Sequence, residues 1–284
     1  MKNENVNFKG TLKNDNVFVA SKLISLSEAI KLPVRKGLEK AVVSEGAVVN
    51  IVSDSYGHLP NEKFFAEVER KLIGADINYV TRSINRDNRS FAVDYILDDE
   101  RYIVTVKNSN DKIRPMLRFV NSYDGSCKTS GSFGYFREIC SNGLHVSHTN
   151  IGFSVKHRGA IVELVLPEIK ALVTKFLDNE YYEIRRKFEV LAERPILDLN
   201  GFVKATAEKL KLFTFEASKE NPSPSLNARL VIDTMVKEAN VLGARPNHWI
   251  GYNAFNELLH SKLKKTFTQQ ADIDARLFET VLSM

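Results

Sequence analysis

The spacing of apolar positions changes from helical to alternating and back along this chain. In EKFFAEVERKLIGA, Phe64, Phe65, Val68, Leu72 and Ile73 recur at helical spacing. That predicts an amphipathic helix capped by Asn61 and ended by Gly74. The period then drops to two: Ile77–Ile84, Arg89–Leu97, Arg101–Asn108 and Arg114–Tyr123 read as strands, with polar turns at 85–88, 98–100 and 109–111. Four strands joined by short turns predict an antiparallel meander.

Upstream, the first forty residues are weakly patterned. Ser25 or Ser27 opens a short helix that Leu32-Pro33 closes, and Gly46–Ser53 reads as a short buried strand. Downstream, Gly125, Gly131 and Gly134 loosen the segment that leads into FREICSNGL, read as a helix start. From Ala160 the texture is helical, with Pro167 as a kink or boundary, a further helix from Asp198, and others over 228–240 and from Asn253 onward. The pattern predicts an α+β fold, an antiparallel meander packed on helices with a mainly helical C-terminal part. The expected organisation is a core over 1–160 and a helical region over 161–284, with a candidate linker at 219–227, where two prolines sit among polar residues.

Charge adds a location. The net charge is +5. Residues 101–160 hold nine basic side chains against three acidic ones, so this block carries +6 and the remainder −1. Such a block on a neutral background points to an anionic partner, nucleic acid first, with a merely solvated strand surface as the plain alternative. The candidate phosphate contacts are Lys107, Arg114, Arg118, Lys128, Arg137, Lys156 and Arg158. Arg114 and Arg118 are four apart and share one face of a strand. Tyr123, Phe133, Tyr135 and Phe136 lie close by, as stacking rings for bases or, more simply, as core.

Other chemistry is thin. Cys140, His145 and His148, with His157 beyond, fit no established zinc spacing, so no metal is expected. Asp94, Glu100 and Lys107 are the elements of a nuclease reading, but Thr105 stands where the second acid belongs. There is no P-loop, nucleophile elbow or dinucleotide fingerprint, and neither a cofactor nor catalysis is expected. Two cysteines make no disulfide framework. No apolar run nears the roughly 18 residues of a membrane helix. A soluble protein of the cytoplasm is the expectation.

Four strings carry a resemblance: Tyr56-Gly57 with Pro60; Asn121-Ser122 with Asp124-Gly125-Ser126; Arg137 with Cys140 and Asn142; and Trp249 with Asn253-Ala254. In this order they resemble a phage- and plasmid-borne family catalogued as domain of unknown function 932. The first forty residues match nothing in that pattern. The helix–meander–helix order over 61–145 is similar to the core of the single-strand annealing proteins, RecT/Redβ and the Rad-type rings. The resemblance implies a protein of a bacterial host cell that binds single-stranded DNA, anneals strands in recombination and assembles as a ring or filament. The alternatives are a protein-interaction module, such as a phage inhibitor of a host factor, and thirdly a nucleic-acid-modifying enzyme.

Overall fold

The computed structural model describes residues 12, 14–30, 33, 36–106, 111–137, 143–144, 152–177, 181–218, 220 and 222–284. In chain order the elements are β1 (Ser21–Ser25), α1 (Leu26–Ile30), β2 (Lys40–Ser44), β3 (Ala47–Val52), α2 (Asn61–Gly74), β4 (Tyr79–Arg86) and β5 (Ser90–Leu97). They continue with β6 (Val104–Thr105), β7 (Lys112–Ser122), β8 (Thr129–Arg137), β9 (Gly143–Leu144), β10 (Gly152–Val155) and α3 (Ile161–Leu177). The chain ends in helices α4 (Tyr181–Glu193), α5 (Leu199–Leu210), α6 (Leu226–Leu242), α7 (His248–Ser261) and α8 (Phe267–Leu282). This is the α+β fold that the pattern predicts.

Two compact units form, and neither is one continuous stretch. Unit 1 comprises Met1–Glu100, Pro115–Gly134 and Thr149–Asp178; unit 2 comprises Arg101–Arg114, Tyr135–His148 and Asn179–Met284. Residue 160 therefore falls inside unit 1.

Unit 1 holds an antiparallel sheet in the order β10-β8-β7-β5-β4 and a separate sheet in the order β1-β2-β3. Helix α2 packs on the larger sheet through Phe64, whose ring lies 6.0 Å from Phe119 of β7. Tyr95 of β5 stands 5.9 Å from the same ring. Side chains alternate between the faces of a strand. Phe119 therefore marks the helix-covered face, and Arg118 and Asp94 belong to the other.

The third expected strand, 101–108, is not a meander strand in its described part, 101–106. A 3-10 turn at Glu100–Tyr102 precedes the two-residue β6, and β5 pairs directly with β7 from Ser90↔Ser122 to Ile96↔Met116. Asn61 is not the cap of α2 either. Pro60 occupies that position, and the Asn61 N–H is accepted by the phenol oxygen of Tyr123 at 3.0 Å. The strand read as buried over 46–53 is the largely exposed β3, and Phe136-Arg137 end a strand instead of starting a helix.

Unit 2 contains residues 112–114 of β7, of which Lys112 and Ile113 pair with β6, and residues 135–137 of β8, of which Tyr135 and Phe136 pair with β9. Around them are α4–α8. Asp198, Ser225, Asn247 and Thr266 cap α5, α6, α7 and α8 through their side chains. Each satisfies an otherwise orphaned N–H. The candidate linker is ordered in its described part: Pro224 bridges Glu216, and Ser225 caps α6. Among the described residues no helix is long and apolar enough to cross a membrane.

Candidate nucleic-acid interface

The antiparallel pair β8–β10 in unit 1 runs from Gly152↔Ser132 to Val155↔Thr129. Its burial alternates on both strands. Gly152, Ser154, Lys156 and Arg158 are exposed, while Phe153 and His157 are buried. Across the ladder Lys128 is exposed and Ser130 and Ser132 are half-buried, while Thr129, Gly131 and Phe133 are buried. One face thus turns inward. Phe153 packs 6.2 Å from Phe119, and any side chain at Gly131 would collide with Phe119 and Leu172. The other face presents Lys128, Ser130, Ser132, Ser154, Lys156 and, past the strand end, Arg158.

Lys128 precedes Thr129 and Lys156 follows Val155, the last paired residues, so both lie at the same end of the ladder. Like charges opposite one another on neighbouring strands are destabilising. Lys128, Lys156 and Arg158 make no side-chain hydrogen bond or ion pair among the described residues.

A buried polar chain fixes this end of the ladder from its inner side. The His157 ring stacks on Tyr56, with centroids 5.4 Å apart and planes 9° from parallel. Its Nδ1 lies 3.3 Å from the Gly57 carbonyl and its Nε2 lies 3.4 Å from the Thr129 hydroxyl. Thr129 donates to Asn121 Oδ1 at 2.9 Å, and Asn121 Nδ2 donates to the Leu59 carbonyl and to Asn61 Oδ1, both at 2.9 Å. Asn61 in turn donates to the Val17 carbonyl at 2.7 Å. A Cβ at Gly57 would come within 2.7 Å of the Gly159 carbonyl, so only glycine allows this approach. Burial holds the His157 imidazole below its ordinary value near 6.5 and pushes the Tyr56 phenol up. Burial likewise lowers His58.

The loop that joins β7 to β8 is tied to itself. Ser122 donates its hydroxyl to the Cys127 carbonyl at 2.7 Å, the Ser126 N–H bonds Asp124 Oδ1 at 2.9 Å, and Gly125 has φ +72. Glycine carries that left-handed conformation at little cost. The Cys127 thiol is buried and its pKa is raised, chiefly by desolvation. Such a thiol is structural in character.

Of the seven basic residues singled out in sequence, three are exposed together: Lys128, Lys156 and Arg158. Lys107 lies outside the described residues. Arg118 is buried, and its Nε and Nη2 bond the two oxygens of Asp94 at 2.5 and 2.8 Å. Arg82, in register with Asp94 from the other side, bonds the same carboxylate at 2.8 and 2.5 Å. Arg114 is buried and belongs to unit 2. Arg114 and Arg118, expected as phosphate contacts, are therefore buried side chains and not surface charges. Their strand is buried from Ile113 to Ser122, and a buried guanidinium needs an anionic or polar partner.

Arg137, in unit 2, is fully buried. It bonds Asp111 at 2.5 Å and Glu238 at 2.8 Å, and its guanidinium carbon sits 5.7 Å from the Trp249 ring centroid. Trp249 donates its indole N–H to Asp111 at 2.8 Å. Burial raises the Glu238 carboxyl, an effect the Arg137 charge opposes. The rings of Tyr123, Phe133, Tyr135 and Phe136 are all buried, as the plainer core reading has it, so none is open to stack on a base. Asp94, the first carboxylate of the nuclease reading, is taken by two guanidiniums. Cys140, His145 and His148 lie outside the described residues.

The four sequence strings sort into two sets. Tyr56-Gly57-x-x-Pro60 meets Asn121–Ser126 in unit 1 through His157, Thr129 and Asn61. Arg137 meets Trp249 in unit 2 through Asp111. His157, Thr129 and Asn61 were missed as partners in sequence. The alternation of GFSVKHR was the available signal for the first, and a strand of four residues is easily passed over. No curated protein and no solved structure matches the chain. The model of a family described as a domain of unknown function (DUF932) matches residues 48–278, most of the chain, and the protein belongs to that family.

Proposed function

We propose that the chain binds single-stranded nucleic acid at the exposed face of β8 and β10, with Lys128, Lys156 and Arg158 against the phosphates. The observation that carries the reading is the concentration at one strand end of three exposed cations with no side-chain partner among the described residues. Mutual repulsion disfavours that arrangement unless an anion offsets it. The resemblance supplies the wider setting: strand annealing in phage or plasmid recombination, in a bacterial cytoplasm, by a homo-oligomer. Binding of labelled single- and double-stranded oligonucleotides across a salt series tests it. A second reading, a protein-interaction module, has in its favour the outer strand β3, where Val48 and Ile51 are 45% and 47% exposed. That reading replaces the first if no oligonucleotide binds at low salt.

A further inference from the structure

We infer that the face of the β8–β10 ladder recognises the sugar–phosphate backbone of nucleic acid without regard to base sequence, with its serine hydroxyls as the neutral half of the contact. The inference rests on the nucleic-acid reading above. Beyond the two lysines, the described residues of this face are Ser130, Ser132, Ser154 and Gly152. Ser130 and Ser154 are direct cross-strand partners, as are Ser132 and Gly152. Residues two apart on a strand are about 7 Å apart, and opposed ones about 5 Å. The hydroxyls therefore continue inward from the lysine pair as a row of donors. None of the three makes a side-chain hydrogen bond among the described residues.

Serine and glycine cannot reach into a groove, and this face carries no Asn, Gln or aromatic ring with which to tell bases apart. Hydroxyls donate readily to phosphate oxygens, and phosphate contacts position a strand without reading it. The neighbouring inner residues fix the row: Gly131, Phe153 and Thr129 are buried, so neither strand can turn its serines inward without exposing them.

The two halves of the contact separate experimentally, because a hydroxyl displaces no counterion while an ammonium does. Labelled oligo-dT, oligo-dA and oligo-dC of equal length are titrated against the full chain and against the Ser130→Ala/Ser132→Ala/Ser154→Ala variant. Thermal unfolding confirms that the variant folds. Wild-type affinities within about threefold of one another are expected. The triple variant should weaken all three by a common factor of at least about tenfold for three hydrogen bonds to phosphate. Its salt slope should match wild type. A variant that binds as tightly as wild type overturns the serine row while leaving the lysine reading intact. A preference among homopolymers above tenfold overturns sequence independence. Inorganic polyphosphate that competes as well as oligonucleotide per phosphate overturns the nucleic-acid assignment. Wild-type protein that binds none of the three sinks the underlying reading as well.

Discussion

Tyr56 lies flat against His157, so the segment that leads into α2 and the segment that leaves β10 are held together face to face. The residue after His157 is Arg158, which also forms a backbone bridge to Tyr56. The position of an exposed cation is thus set by a buried stack. A Phe at position 56 keeps the stack and removes a phenol oxygen that is buried with no hydrogen-bond partner among the described residues. Tyr56→Phe should therefore be neutral or slightly stabilising in urea unfolding, since an unsatisfied buried polar atom is removed.

Asn121 is the hub of the same cluster, with two donated hydrogen bonds and one accepted. Asn121→Asp keeps the shape but turns the donors into an oxygen that faces the Leu59 carbonyl. It should cost about 3 kcal/mol or more, because a buried charge gains no partner and the partner groups lose theirs. Chemical denaturation measures it, and a cost within about 0.5 kcal/mol, the range of ordinary surface changes, would contradict the buried network.

Arg118 and Asp94 give an ordered pair of outcomes. Arg118→Ala should destabilise by about 3 kcal/mol, the lower end for a broken buried pair, because Arg82 still holds Asp94. Asp94→Asn should cost more, since it leaves two buried guanidiniums side by side. The reverse order in a denaturation series would show that the carboxylate is not their common anchor.

How much of this was readable in sequence varies by element. Helix α2 was legible because Phe64, Phe65, Val68 and Leu72 lie on one face; it ends at Gly74 as expected and starts one residue earlier than the Asn61 cap implied. The β4–β5 hairpin was legible from its turn, where Asp87 and Asn88 adopt φ +54. The stretch 101–108 alternates like a strand, but its described part, 101–106, is excluded from the meander, because β5 and β7 pair with each other over seven positions. The cations were harder still. Arg118 finds Asp94 24 residues away, and Arg137 finds Glu238 101 residues away. No local pattern distinguishes such arginines from solvated ones.

Acid should weaken the fold near neutrality. His58, His157 and His248 all have pKa values lowered by burial from an ordinary value near 6.5. Below that value the unfolded chain takes up protons that the folded chain resists. Stability is therefore fully present above about 6.5 and declines as pH falls toward the lowered folded values. Each group contributes at most about 1.4 kcal/mol per pH unit. The raised carboxyl of Glu238 acts in the opposite sense, losing stability as pH rises through its folded value. Comparing wild type with His157→Gln isolates the histidine. The variant should show a shallower decline between pH 6.5 and 5, and an unchanged profile would remove His157 from the account.

The chain has one tryptophan, Trp249, so its fluorescence reports on unit 2. Arg137→Met leaves Asp111 and Glu238 buried without the cation between them, which should cost about 3–5 kcal/mol. The Trp249 emission should change with it, since the guanidinium lies over the ring. An unaltered spectrum and unchanged stability would contradict the buried Asp111–Arg137–Glu238 arrangement.

The most direct test of the central claim is the salt dependence of single-strand binding by wild type and by the Lys128→Ala/Lys156→Ala/Arg158→Ala variant. Three phosphate contacts should give wild type a slope of about −2 for log K against log salt, at roughly −0.7 each. The variant should lose nearly all of that slope and keep its stability within about 1 kcal/mol, because the removed charges are exposed. Wild-type binding that the variant retains with an undiminished slope, or no binding by wild type at low salt, would contradict the assignment of this face to nucleic acid.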